Sequence, residues 1–590
     1  MKFYSLLLCG MVLTACAPRS VELPDKGPNI LLIMTDDQGY GDIGFNGNPL
    51  IRTPVMDSLA RRGTRIDPFY VSPVCAPTRS SLMTGRYHLR TGVYDTYNGG
   101  AMMDPDEVTV AEILAAHGYH TGMIGKWHLG DNYPMRPMEQ GFQYSLMHHG
   151  GGIGQPGDDF GNYTRGDSAY FDPYLWENGQ RIRKKGYCSD IFTDQAIRFM
   201  EEHRQEHPEA PFFLYLAFNA PHTPLQLPEE YLGEYGDMVM HPSDFEISGD
   251  NLSSMGPADQ EDARRVYGMV SNIDDNLGRL WTALKELGLE EETLVVFLTD
   301  NGPQQRRYTS GLRNRKGSVY EGGIRVPCIW YWKGVIPEHS VVREPAAHID
   351  VLPTLLDFAG VPYGGALDGR SLRSQLLGEV SEVEDRPLFF VWQRGFPQRY
   401  VNMSVSQGRY KLVGQQPYEA SDTLLELFDL KEDPMETNNI SSREPVIRDS
   451  LKLTLDRWYG EIMASPHLVN PPRIVVGSPE ENPVILGRND WKGPTARRWD
   501  APEAYGTWAL RVVDPGPYQV KMVFRDPLPG NGRFVVESGS RQYWIRQVEP
   551  GAHEVVLKAI VLNTGDQSMG GWWEKNGQMY TPFYIEIEKI

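Results

Sequence analysis

From residue 29 to about 385 the chain alternates short, uninterrupted apolar runs with stretches of helical periodicity, a pattern that predicts an α/β sheet with helices on both faces. Residues 30–34, 212–218, 294–298 and 328–332 are continuously apolar, as strands covered on both sides require. Helix ends between them are legible. Thr53-Pro54 opens a run through Val55, Met56, Leu59 and Ala60 that closes at Gly63, and Thr109-x-x-Glu112 forms a capping box for a helix closing at Gly118. Residues 189–203 and 264–287 read as longer amphipathic helices. Between 388 and 463 the pattern changes: short strands around Leu427-Phe428-Asp429-Leu430 precede a helix from Glu444 to Ile462, which predicts a small antiparallel sheet packed on the main domain. Beyond about Pro471, strict alternation at Tyr518, Val520, Met522 and Phe524, and again at Phe583, Ile585 and Ile587, predicts an all-β module.

These patterns divide the chain into a main domain at 29–385, an antiparallel subdomain at 386–470 and a β module at 471–590. The first residues read as an export signal. Lys2 precedes an apolar run at 3–13, and Leu13-Thr14-Ala15-Cys16 resembles a bacterial lipoprotein cleavage box. That predicts a signal peptide at 1–15, a lipidated Cys16 anchoring the chain to a membrane, and a tether at 16–28. The folded part is then exported to the bacterial envelope, in the periplasm or on the outer-membrane surface. A plain cleaved signal with an incidental cysteine is the other reading. Cys9 leaves with the signal, so Cys75, Cys188 and Cys328 build no disulfide framework; pairing of Cys188 with Cys328 stays open, with two buried thiols the default. A formal net charge of −20 and a pI near 5.2 exclude a protein that follows nucleic-acid phosphates. Any anionic ligand must be drawn by a local pocket.

The segment Cys75-Ala76-Pro77-Thr78-Arg79, followed by Thr84-Gly85, and the segment Gly118-Tyr119-His120-Thr121-Gly122-Met123-Ile124-Gly125-Lys126-Trp127-His128 resemble the two signatures of the sulfatase family. This is the formylglycine-dependent, arylsulfatase-like branch of the alkaline phosphatase superfamily, and the resemblance extends over about residues 29–440. It implies a large, mixed, mostly parallel sheet sandwiched by helices. It also implies removal of sulfate from an ester, with Cys75 oxidised by a maturation enzyme to formylglycine. The chemistry favours such a group: one oxygen of the hydrated aldehyde attacks sulfur, and deprotonation of the other expels sulfate by C–O cleavage. Pro77 and the helical pattern after it place residue 75 at a helix N-terminus, where free N–H groups favour an anion.

Asp36-Asp37 follow the first predicted strand and Asp300-Asn301 follow a later one, so both pairs belong at the carboxyl ends of sheet strands. Either pair alone could be turn or cap residues. Together their four oxygen donors suit Ca²⁺ or Mg²⁺ rather than zinc. The resemblance makes the ion a single calcium, shared with residue 75. Lys126 and His128 flank Trp127 in a loop after the predicted strand, and the resemblance further implies that Arg79 holds the nucleophile's oxygens, that Lys126 contacts sulfate, that His128 deprotonates the second hydroxyl, and that His222 and Lys316 serve the leaving oxygen. His148 and His149 begin a glycine-rich segment, Gly150-Gly151-Gly152-Ile153-Gly154, at which many relatives carry another sulfate-contacting side chain; that role and a flexible lid both stay open. Arg306, Arg307 and Arg313 are expected to read a second anionic group on a sulfated carbohydrate. A phosphonate monoester or phosphodiester hydrolase, and a non-catalytic glycan-binding lipoprotein, are the competing readings.

Overall fold

The computed structural model describes residues 27–379, 384–415, 424–546 and 549–590. The predicted signal segment, Cys16 and nearly all of the tether lie outside them. Among the described residues, ten strands form one mixed sheet. In chain order they are β1 (Asn29–Thr35), β2 (Thr64–Ile66), β3 (His120–Lys126), β4 (Tyr144–His148), β5 (Tyr174–Glu177), β6 (Gln180–Arg183), β7 (Phe212–Ala217), β8 (Thr293–Thr299), β9 (Cys328–Tyr331) and β10 (Ser340–Val342). Their spatial order is β10-β2-β9-β8-β1-β7-β3-β4-β5-β6. The central run from β8 to β4 is parallel, as is β10 with β2, and the other pairings are antiparallel. The fold is thus α/β and alkaline phosphatase-like.

The apolar runs explain the layering. Leu31 and Ile33 of β1 join one core while Ile30, Leu32 and Met34 join the other, and β7 and β8 alternate in the same way. Helices α1 (Pro54–Arg62), α4 (Cys188–Glu206) and α5 (Pro257–Glu286) cover the first face. Helices α2 (Cys75–Thr84), α3 (Val110–Ala116) and α6 (Val351–Ala359) cover the second. The Thr109 to Glu112 capping box forms as expected. Two boundaries differ. Helix α5 begins at Pro257 rather than near 264, because Asp259 accepts from the Gly256 N–H and extends the first turn. Lys126 is the last residue of β3 rather than part of the following loop, paired opposite His148 of β4.

A four-stranded antiparallel sheet of Leu388–Val391, Met403–Gln407, Tyr410–Gly414 and Glu426–Asp429, crossed by the helix Pro445–Ile462, packs on this domain. A buried cation pins it: Lys411 Nζ lies 2.8 Å from Glu321 Oε1 and 2.9 Å from Glu436 Oε1. Two further sheets face each other in the C-terminal module, with Tyr518, Val520, Met522, Ile585 and Ile587 of one packed toward Leu510, Phe534 and Trp573 of the other. Met102 and Met135 of the α/β domain enter that core, which ties the module down. Cys75, Cys188 and Cys328 are separate buried thiols.

The seam between the two is rich in buried acids. Asn132 Nδ2 and the Tyr133 N–H donate to Glu481, while Asp158 accepts from the Gly154 N–H and Asn162 Nδ2. Burial pushes the Asp158 carboxyl up to about 8 and the Glu481 and Asp490 carboxyls up to about 6. A carboxyl raised on folding favours the protonated protein, so its contribution is complete below the unfolded value and is lost as pH rises through the folded one. Across about pH 4 to 8 the wild type is therefore expected to lose roughly 2 kcal/mol or more relative to Asp158→Asn, with no such difference below pH 4. Denaturant melts at stepped pH read this, and a difference of constant size would refute it.

Candidate active site

Strand register assembles the site. Thr35 of β1 pairs with Thr299 of β8, so Asp36 and Asp300 leave adjacent strand ends side by side, with Asp37 and Asn301 one residue on. Across β7 from them, β3 ends in Lys126, and the chain leaving β7 passes through His222. This is the carboxyl edge of the parallel strands, where such sheets bind ligands. Helix α2 presents Cys75 there as its first residue, after an N-cap at Val74. Ligand atoms of Asp36, Cys75 and Asp300 lie within 4.8 Å of one another, as do those of Asp36, Asp37 and His222.

Each carboxylate is matched by a cation. Lys126 Nζ lies 2.6 Å from Asp36 Oδ2, Lys316 Nζ 2.6 Å from Asp37 Oδ1, and Arg79 Nη2 2.7 Å from Asp300 Oδ2. Burial alone would raise the Asp37 carboxyl, yet the Lys316 ammonium, helped by the hydrogen bond from Asn301, holds it well below the usual carboxylate range. Burial pushes Asp300 up to about 6, with Asp36 adding to the effect and Arg79 opposing it. Three buried oxygens remain without a hydrogen-bond partner: Asp36 Oδ1, Asp37 Oδ2 and Asn301 Oδ1. The Asn301 amide is fixed with its oxygen free, because Nδ2 donates to Asp37 Oδ1 at 2.8 Å. Orphaned buried acceptors cost on the order of 1–3 kcal/mol each. Oxygens from two carboxylates and an amide, converging without partners, fit a hard divalent cation such as Ca²⁺.

Above this nest opens a cavity of about 530 Å³ lined by Cys75, His128, His222 and Lys316. Lys126 and Arg79 lie fully buried outside that lining. The His128 Nε2 lies 2.6 Å from the Thr96 carbonyl oxygen and the His222 Nδ1 2.7 Å from that of Thr223. A carbonyl only accepts, so these nitrogens carry the protons, and His128 Nδ1 and His222 Nε2 bear lone pairs in the neutral rings. Burial keeps both rings neutral, lowering His128 well below its ordinary value and His222 to about 3, with Lys126 and Lys316 respectively reinforcing it. His128 Nδ1 has no other partner, and His222 Nε2 faces Asp37 Oδ2 at 3.9 Å. Burial also pushes the Cys75 thiol up despite Lys126 and Lys316, so as a thiol it is a poor nucleophile at neutral pH.

The substrate-reading arginines are corrected. Arg307 is fully buried, its guanidinium 2.7 Å from Asp42 Oδ2 and donating at 2.7 Å to the Asp37 carbonyl, so it clamps the acidic loop and cannot meet a ligand. Arg313 lies 3.9 Å over the Tyr320 ring and donates to the Glu436 carbonyl, facing the small sheet. Arg306 bonds Ser254 and does not line the cavity. His149 stacks on Trp176 at 4.3 Å and lines a different cavity with Asp131. His148 stays buried beside Lys126 in the sheet, outside the catalytic lining. The glycine-rich segment is a wall rather than a lid: a Cβ on Gly151 would lie 2.8 Å from His128 Cε1, and one on Gly152 3.2 Å from His222 Nδ1. Arg79 donates to Asp300, to the Lys126 carbonyl and to the Tyr215 hydroxyl, which fixes its guanidinium beside the nest.

Other residues in the lining carried no sequence signal: Tyr97, Gln155, Gln304, Trp392, Arg394 and Trp499. Arg394 is their cation, donating 2.6 Å to Asp95 Oδ1 and standing 4.4 Å over the Tyr97 ring and 4.9 Å over Trp392. Their only warning was composition, since Trp and Tyr are abundant without any local motif.

An alkaline phosphatase-like sheet with a buried acid nest facing a helix-borne cysteine defines a hydrolase of anionic esters. A family model described as Sulfatase matches residues 28–361, and one described as N-sulphoglucosamine sulphohydrolase, C-terminal, matches 314–458. Arylsulfatase A of Homo sapiens is 33% identical over 498 residues, spanning 74% of this chain and 90% of its own. The N-acetylgalactosamine-6-sulfatase of Canis lupus familiaris is 30% identical over 431 residues, spanning 68% of this chain and 74% of its own. The crystal structure of Ps i-CgsB in complex with k-i-k-neocarrahexaose matches with a TM-score of 0.64 at 27% identity, covering 75% of this chain and 94% of that one. The chain belongs to the sulfatase family and is a sulfatase.

Because Arg307 is an internal clamp, Arg307→Met should leave Asp42 buried and unpaired and cost ~3–5 kcal/mol. Arg306→Ala should change stability by no more than about 0.5 kcal/mol. Thermal unfolding of the two variants compares them, and equal effects would contradict the assignment.

Proposed function

We propose that this sulfatase removes sulfate from a carbohydrate ester, using a formylglycine made from Cys75 and one Ca²⁺. The observation that carries the reading is the trio of partnerless oxygens, Asp36 Oδ1, Asp37 Oδ2 and Asn301 Oδ1, packed beside residue 75 at a helix N-terminus. The raised thiol supports the modification, because an unmodified Cys75 is protonated where the enzyme must act. When bound, the cation supplies Lewis-acid charge toward the sulfate oxygens from Asp36, Asp37, Asp300 and Asn301. A hydrated aldehyde at position 75 supplies one hydroxyl to attack sulfur and a second whose deprotonation releases sulfate.

The chain's own groups do the rest. His128 Nδ1, unprotonated and directed by the Thr96 carbonyl, takes the proton from the second hydroxyl. Lys316 Nζ is held in its charged form by Asp37, which outweighs burial, and provides a proton on the leaving-oxygen side. His222 Nε2 shares that side, and a bound sulfate's negative charge raises its proton affinity. Lys126 fixes Asp36. Carbohydrate as the substrate class rests on the relatives named for N-acetylgalactosamine-6-sulfate and for a neocarrahexaose complex, and on the aromatic and cationic walls of the cavity. A maturation enzyme that oxidises Cys75, and export with a lipid anchor at Cys16, complete the proposal from the sequence.

Mass spectrometry of the peptide spanning residue 75 from active enzyme is expected to show the aldehyde, and full activity with an intact thiol would end the proposal. His128→Ala should lower kcat by about 10²–10⁴-fold. His222→Ala should cost more on a sugar sulfate than on a nitrophenyl sulfate, whose phenolate departs without a proton; equal losses on both would remove His222 from the leaving side. Chelated enzyme should gain thermal stability when Ca²⁺ is restored, by about 2.7 kcal/mol at a hundredfold excess over Kd, and Asp37→Asn should abolish the gain. A Tm indifferent to Ca²⁺ would deny the site. Sulfate and phosphonate esters assayed on one preparation separate this activity from phosphonate hydrolysis.

A further inference from the structure

The C-terminal module lies beyond both family matches, which end at residues 361 and 458, yet its Trp499 lines the catalytic cavity. The indole is fixed there. Tyr97 stacks on it at 4.6 Å and 28°, the Tyr97 hydroxyl donates to the Arg497 carbonyl at 3.2 Å, and Arg488 donates to the carbonyl of Trp499 itself at 2.6 Å. The same side chain also lines a second cavity, of about 270 Å³, enclosed by the module and by the wall segment of the α/β domain. Consecutive wall residues divide between the two spaces, Gln155 facing the catalytic one and Pro156 the other.

We propose that this second cavity is a saccharide subsite, so that the substrate is an oligosaccharide holding its sulfate at residue 75 and a neighbouring sugar beyond Trp499. The inference rests on the carbohydrate-sulfatase reading and deepens it. The lining has the chemistry of sugar recognition: the half-buried rings of Tyr163 and Trp499 offer apolar faces, and Asp500, Arg525 and Asp526 offer polar edges for hydroxyl pairs. Those polar groups are already positioned by one another. Tyr163 donates to Asp500 Oδ1 at 2.6 Å, Arg525 Nη1 donates to the Tyr163 hydroxyl at 3.2 Å, and Arg525 Nε donates to Asp526 Oδ2 at 3.2 Å. Their outer edges stay open, the side chains of Arg525, Asp500 and Asp526 being 35%, 67% and 64% exposed. Arg488 donates to the carbonyls of Trp499, Ala501, Thr581 and Pro582 and to the Thr581 hydroxyl, and so holds the walls. Formal charge decides which sugar fits. Two carboxylates oppose two guanidiniums here, so this space takes an unsulfated, hydroxyl-rich unit, whereas Lys316 and Arg394 draw the sulfated one into the catalytic cavity.

The test uses mature full-length enzyme on mono-, di- and hexasaccharides of one series carrying the same sulfate, with an aryl sulfate alongside. Wild type should favour the hexasaccharide over the monosaccharide by tenfold or more in kcat/KM. Trp499→Ala, and the solvent-facing variants Arg525→Ala and Asp526→Asn, should each cut that preference at least fivefold, chiefly through KM. A preference unchanged in all three variants overturns the subsite. Turnover of aryl sulfate but of no carbohydrate sulfate would instead sink the carbohydrate reading. Calorimetry with the desulfated hexasaccharide then judges the cavity alone: binding lost in Arg525→Ala sustains it, and no binding to wild type ends it.

Discussion

Asp36, Asp37 and Asp300 crowd one edge of the sheet without solvent contact, and this density of negative charge persists because Lys126, Lys316 and Arg79 each approach one carboxylate. Pairing is incomplete by three oxygens, which leaves the nest structurally supported yet still attractive to a cation. Much of the surrounding architecture serves that balance. Arg307 and Asp42 clamp the backbone of Asp37 from below. The buried Lys411 triad anchors Glu321, five residues beyond Lys316, and so couples the small antiparallel sheet to the position of an active-site ammonium.

The parts legible from sequence are those whose physics is local. A strand buried on both faces must be apolar at every position, so β1, β7 and β8 announced themselves. Acidic residues directly after such strands, and a cysteine directly before a helical run, follow from short-range order, and the strand register then brings them together. Groups that depend on distant segments were opaque. Arg307 reads as an exposed basic residue in a loop, and only its encounter with Asp42, 265 positions away, turns it inward. Arg394 and Trp499 reach the cavity from separate folding units, each without a pattern that ties it to Cys75. The glycine-rich segment was ambiguous for another reason: its role depends on the two imidazoles packed against it, which no spacing encodes.

The cavity is accordingly a composite. Its reactive floor comes from the sheet edge and α2, while its walls draw on the antiparallel sheet through Trp392 and Arg394 and on the C-terminal module through Trp499. Chemistry and selectivity are thus carried by different parts of the chain. Glu481 accepts from Asn132 and from the Tyr133 N–H and so ties the module to the catalytic domain, which makes the stability of that seam bear directly on the shape presented to a substrate.

The two imidazoles owe their proton placement to main-chain carbonyls, those of Thr96 and Thr223. Replacing either threonine alters a side chain and leaves its carbonyl behind. The orienting partner is therefore invisible to point mutation, unlike the carboxylate that orients histidine in many hydrolases. Drift in sequence can reshape the rim freely while the poise of both rings is inherited with the path of the backbone itself.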